Sequence, residues 1–151
     1  MNLQEHLPEL LPLAIAWAQF QADHVAYVGV PLPENLQALA RRVGVREPQL
    51  IRVKLVEEMP VPEHPMLRAL AVQTGLLSSN TAGLTVGHSI FIKHGEDSIR
   101  LISHECRHVY QYELFGSIES FLGVYLMQLA SVGYHQAPLE IDARVNEVIT
   151  L

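Results

Sequence analysis

Ile99-Arg100-Leu101-Ile102-Ser103-His104-Glu105-Cys106-Arg107-His108-Val109-Tyr110-Gln111-Tyr112 is the stretch from which the rest of the chain is read. Glu96-Asp97-Ser98 before it carries helix-start signals, with acids placed for the first turn. Leu101, Ile102, Cys106, Val109 and Tyr112 supply apolar faces, and Gly116 supplies the stop. These signals predict a helix over about 97–115 with H-E-x-x-H, residues 104–108, near its middle. Two histidines four residues apart on a helix point in nearly the same direction, so both can offer a nitrogen to one zinc ion. From the next position the Glu105 carboxylate can reach a water on that ion without being a ligand itself. The pattern is a known zinc signature, and no other segment of the chain names a chemistry. The competing reading is two surface histidines on an amphipathic helix. With 8 histidines in 151 residues a chance match is not rare, so the rest of the chain must decide.

The length suits one domain, read here as 1–151. Nearly half the residues are apolar, enough for a sizeable core. A net charge of −6 argues against a nucleic-acid binder. The clustered Arg41, Arg42, Arg46, Arg52 and Lys54 are diluted by Glu47, Glu57 and Glu58 and read as a solvated face. Cys106 is the only cysteine, so neither an internal disulfide nor a thiolate-rich zinc site can form; it reads as a small buried apolar residue. Leu10 to Phe20 is apolar but too short to span a bilayer, and no basic segment precedes it. The expectation is a cytoplasmic protein with no membrane partner.

Residues 9–28 read as a helix, with Leu13, Trp17, Phe20, His24 and Tyr27 recurring at helical intervals. Pro31-Leu32-Pro33 breaks it. A second helix is predicted over 34–43, closed by Gly44, then a strand over 50–58. Pro60, Pro62 and Pro65 mark an irregular segment before a short helix at 66–73. Thr74 to Gly83 reads as a loop or hairpin. Alternation over Leu84 to Lys93 predicts one strand. A helix over 117–132 follows, ended by Gly133, and Ala137-Pro138 opens a last helix. The fold class expected is α+β: a small mixed or antiparallel sheet on several helices, with the 104–108 helix at the centre.

A catalytic zinc takes three protein ligands and one water, so two histidines are incomplete. No histidine follows the motif until His135. In Pro138-Leu139-Glu140-Ile141-Asp142-Ala143-Arg144, Glu140 lies in the first turn of the last helix, and Ala143 allows close packing of that helix on the motif helix. Glu140 is the candidate third ligand; Asp142 is the rival, about 200° away around the helix. Without the upstream motif, Glu140 would read simply as an acid favoured by the helix dipole.

His104 to His108 with a downstream Glu-x-x-Ala helix resembles the gluzincin metallopeptidases, in which that glutamate is the third zinc ligand. Ser103 to Gln111 also resembles small bacterial zincin-like domains with an H-E-x-x-H-V-x-Q core. The resemblance covers about 84–147; residues 1–83 carry no family signal. It implies a zincin-like fold, with His104, His108 and Glu140 as zinc ligands and Glu105 as general base. One position departs. Many gluzincins have an Asp four residues after the glutamate, orienting a histidine ligand; here that residue is Arg144, leaving Asp142 and Glu147 as candidates for the role.

The resulting expectation is a zinc-dependent hydrolase, a small metallopeptidase acting on a peptide or protein. Tyr110, Tyr112, Tyr125, Tyr134 and His135 are candidate donors to the oxyanion, Tyr134-His135 being preferred, although aromatics mostly serve cores. The strand at 84–93 is expected to pair with an extended substrate, as in zincins. His88 and His94 read as ordinary strand and turn residues. Two rivals stand beside this: an inactive zinc-binding regulatory or scaffold domain, and a zinc-free helical interaction protein.

Overall fold

β4 (Ser89–Lys93) is the most deeply buried strand, and the sheet is organised around it. In the computed structural model, which describes residues 2–151, β2 (Arg52–Val56) runs parallel to β4 on one side and β3 (Gly83–Val86) antiparallel on the other. The two-residue β1 (Val30–Pro31) adds antiparallel to β2, giving the order β1-β2-β4-β3. The sheet is therefore mixed and the class is α+β.

Residues of β4 alternate between two cores. Ile90 and Ile92 pack with Leu39 of α2 (Glu34–Arg42) and with Ile102, Cys106 and Val109 of α4 (Ile99–Phe115). Phe91, with Leu84 and Val86 of β3, packs on the opposite side against α1 (Leu3–Val28), α3 (Pro65–Gln73) and α5 (Ile118–Gln136). Helices thus cover both faces of β4, which is why Ile90-Phe91-Ile92 is a continuous apolar run. Thr85 lies opposite Ile90 in register, so it shares the α4 face. Gly83, two residues earlier, shares it too.

Two expectations need correction. The single strand over 84–93 is a hairpin, turning at Gly87-His88 with Gly87 at φ +66°. Glycine enters that left-handed region freely, so the chain reverses in two residues. Apolar residues on both sides of the turn imitate one alternating strand. In α1, the repeat of Leu13, Trp17, Phe20, His24 and Tyr27 does not define the inner face. Tyr27 is 91% and Phe20 69% exposed, whereas Leu7, Leu10, Ala14, Ala18, Ala22 and Val25 are buried. The alanines let α1 lie close to the sheet and α5; their small side chains weighed little in a pattern read from large residues. The helix also begins at Leu3 and runs through Pro8 and Pro12, each of which removes one backbone donor.

The C-terminal half places the motif. Ser98 caps α4 by accepting from the Leu101 N–H at 3.1 Å, and Gly116 ends it at φ +89°. In α5 the regular helix breaks at Gly133 (φ +80°), where the Tyr134 N–H donates to Thr74 O at 2.8 Å. One more turn leads to Ala137, and α6 (Pro138–Val145) packs back on α4 and α5. Among the described residues, no single helix is long and apolar enough to cross a membrane.

Candidate metal centre

The middle turns of α4 and the first turn of α6 face each other. His104 and His108 project from α4 towards Glu140, whose carboxylate lies between their rings. His104 Nε2 is 3.1 Å from Glu140 Oε1, and His108 Nε2 is 3.0 Å from Oε2. All three side chains are buried, Glu140 to 1% exposure. Their donor atoms lie within 4.8 Å of one another. Ligand atoms each about 2.0–2.1 Å from a tetrahedral zinc would stand about 3.3 Å apart. The cluster is compact enough to approach that edge, and the donor set is one that zinc accepts, though other divalent ions take the same ligands.

The outer nitrogens are held as a ligating histidine requires. His104 Nδ1 donates to Glu147 Oε2 at 2.8 Å. His108 Nδ1 donates to Gln111 Oε1 at 2.8 Å, and Gln111 Nε2 donates in turn to Leu139 O and Asp142 Oδ2. Each ring is thereby oriented with Nε2 inward. The acid absent at position 144 is thus supplied from Glu147, while Asp142 acts through Gln111 and also binds Arg107 at 2.8 and 3.1 Å. Asp142 does not join the ligand cluster. The role of Gln111 was not foreseen, although its place three residues after His108 puts it on the same helical face. Tyr125 also does something unforeseen: its hydroxyl donates to Glu140 Oε2 at 2.7 Å. That tyrosine is stacked on Phe121, which stacks on Tyr112.

Glu105 is 4% exposed and stands beside the cluster without joining it. Its Oε1 accepts from Thr85 Oγ1 at 2.8 Å. Burial raises its pKa, against the opposing pull of both imidazoles. On the other side there is no side chain at Gly83. A Cβ there would stand 2.8 Å from Glu105 Oε2 and 2.9 Å from its Cδ. Gly83→Ala is therefore expected to displace the Glu105 carboxylate while leaving metal content unchanged. Metal analysis beside a structure of the variant checks this.

A cleft of about 350 Å³ opens on His104 and Glu105, walled by the loop at Ser78–Ala82 and by Tyr134, Arg144 and Glu147. Behind it a chamber of about 30 Å³ touches Glu105, His108, Tyr134 and Glu140. The other candidates lie elsewhere. The Tyr110 ring packs on Arg107, 4.2 Å from ring centroid to guanidinium carbon. Tyr112 is buried, with its hydroxyl donating to Thr85 O. The exposed His135 borders the cleft. His88 pairs with Glu113 at 2.9 Å, and His94 lies 3.5 Å from Glu57. Glu47, His88 and Glu113 also converge, but Glu113 is occupied by the N–H groups of Arg46 and Glu47. Cys106 is fully buried, and burial pushes its thiol up to about 12, far from a nucleophile.

Protons tie the metal-free cluster together. Burial alone would lower the pKa of His108, but the Glu140 carboxylate outweighs it and holds the ring at about 9. His104 is raised for the same reason. Glu140, which burial would push up, is held well below the carboxylate range by the two rings and the Tyr125 hydroxyl. A raised histidine contributes stability that is complete below its unfolded pKa of about 6.5 and is lost as pH rises through about 9. The raised Glu105 contributes with the same sign, complete below its unfolded value of about 4.5 and lost as pH rises through its folded value. The depressed Glu140 contributes above its unfolded value of about 4.5 and stops doing so as pH falls through its folded value. Metal-free protein is therefore expected to lose stability between about pH 6.5 and 9, whereas apparent zinc affinity rises over the same interval as protons leave the rings. Denaturation midpoints across this range, with and without zinc, check both signs.

Compared with family models, with curated proteins and with solved structures, the chain matches none.

Proposed function

We propose that the chain is a zinc-dependent hydrolase of the zincin kind that cleaves peptide bonds. The observation that carries this reading is the convergence of His104, His108 and Glu140 beside a buried Glu105 that is outside the cluster, with His104 and Glu105 lining an open cleft. A divalent ion held by those three residues would supply Lewis-acid polarisation of a water and of a substrate carbonyl. The chain's own residues do the rest. Glu105 takes a proton from the attacking water and delivers it to the leaving amine, and its raised pKa suits both transfers. Thr85 fixes the carboxylate by donating to Oε1, leaving Oε2 for the water. Tyr134, which lines both the cleft and the inner chamber, is placed to donate to the oxyanion.

The substrate's path follows from the sheet. β3 ends the sheet, and Gly83 on it borders the cleft. An extended peptide adding to that edge passes Glu105 and gains affinity from backbone pairing. The hairpin narrows the expectation for 84–93: only its first limb has an unpaired edge.

The test is hydrolysis of a mixed peptide set by zinc-loaded protein. The reading expects cleavage that a chelator stops and added zinc restores. Stoichiometric zinc with no cleavage of any peptide would instead favour an inactive metal-binding regulatory or scaffold domain.

A further inference from the structure

Arg144 stands one helical turn after Glu140 on α6 and lines the cleft beside Tyr134 and His135. Arg100, Glu105 and Glu147 also line the cleft. Glu147 is shared between His104 Nδ1 and Arg100, which reaches it at 3.4 Å. Among the described residues the Arg144 side chain has no carboxylate partner, and its only hydrogen bond is a donation to the carbonyl of His135. A guanidinium carries five N–H donors in a fixed fork shaped for a carboxylate, so most of its donors remain unused. The rest of the cleft wall near it, Ser78, Asn80 and Thr81, is neutral. A chain of net charge −6 repels anions in general, so one unmatched arginine beside the candidate centre decides locally which substrates enter.

We infer that Arg144 is a specificity-determining residue that binds a carboxylate of the substrate, so that the preferred substrate is a short peptide with a carboxylate within two residues of the scissile bond. Positions four apart on a helix lie about 6 Å apart, the span of one to two residues of extended chain. That carboxylate is either the peptide's own C-terminus or an acidic side chain. The modest cleft volume suits a short ligand, near the lower end of the usual range for binding pockets. Arg144 thereby takes a role opposite in sign to the acid that the resemblance led one to expect at this position. The inference rests on the hydrolase reading for its substrate, but not for its binding measurement.

The experiment measures binding by calorimetry to the metal-free wild type and to zinc-loaded Glu105→Gln protein, which holds peptide without turning it over. Three probes are compared: N-acetyl-trialanine as the free acid, the same peptide as its C-terminal amide, and the amide carrying a central glutamate. The expected result is about 10- to 100-fold tighter binding of one or both carboxylate peptides than of the plain amide, the worth of a charge-assisted hydrogen bond. Preference for the free acid identifies the C-terminus as the source; preference for the glutamate peptide identifies a side chain. Arg144→Gln should erase the preference and Arg144→Lys should keep part of it. The acid-to-amide comparison in unmutated Arg144 protein stands even where a variant fails to fold. Equal binding of all three probes, no binding of any, or a preference that survives in folded Arg144→Gln would overturn the inference. The two readings fail separately. Carboxylate preference without hydrolysis by the zinc-loaded wild type sinks the hydrolase reading alone. Hydrolysis that ignores the carboxylate sinks this inference alone.

Discussion

Glu140→Ala is expected to lose zinc at a level where the wild type retains about one ion per chain, with affinity falling by more than about 100-fold. The carboxylate is the only group that bridges both Nε2 atoms, at 3.1 and 3.0 Å, so its removal leaves two histidines on one helix and no third donor among the described residues. Loss of an outer partner costs less: Glu147→Ala should weaken zinc binding by about 10- to 100-fold, because His104 loses its orienting acceptor but keeps Nε2. The order of the two variants matters more than either size. Metal-free Glu140→Ala is also expected to unfold at lower denaturant, since the protonated rings lose their counter-charge in a buried site. Glu140→Gln, which keeps the volume and an oxygen to accept from Tyr125 but not the charge, separates the loss of counter-charge from the loss of packing. Equilibrium dialysis of zinc against wild type, Glu147→Ala, Glu140→Ala and Glu140→Gln reads the order, and denaturant midpoints of the metal-free proteins read the stability effect.

Glu105→Gln is expected to lower hydrolysis by about 10²- to 10⁴-fold, the usual worth of a positioned general base, with zinc content unchanged. The substitution is nearly isosteric, and Thr85 can still donate to the amide oxygen in place of Oε1. It also removes a buried acid whose pKa burial has raised, so the variant should be no less stable than the wild type at neutral pH. Zinc retained, fold retained and activity lost is the signature of a proton-transfer role. Unchanged turnover would remove Glu105 from the mechanism and, with it, most of the reason for reading the site as hydrolytic.

The parts of the site that lie on one helix were the most legible. Helix geometry alone brings His104 and His108 together, and the start and stop signals around α4 place its bounds within two residues of Ile99–Phe115. Glu140 was reachable because zinc chemistry demands a third ligand and few acids follow the motif. What surrounds those residues was less legible. Thr85, Tyr125 and Gly83 reach the centre only through the register of β3 and the packing of α5, contacts between residues 15 to 22 positions apart that no local pattern records. Glu147 was a candidate outer partner from its place two turns after Glu140, but only the packing of α6 on α4 separates it from Asp142. In the N-terminal half the large side chains of α1 drew the reading to the wrong face. Phe20 and Tyr27 are outside and the small Ala14, Ala18 and Ala22 are inside, because close packing of α1 on β4 and α5 needs small residues at the contact.

The most direct test of the central claim is a crystal structure of zinc-soaked protein with anomalous data collected at the zinc absorption edge. One strong peak is expected about 2.0–2.2 Å from His104 Nε2, His108 Nε2 and a Glu140 oxygen, with a water in the remaining position and Glu105 beyond bonding distance. Absence of a peak among these three residues, or a fourth protein ligand closing the site, would contradict it.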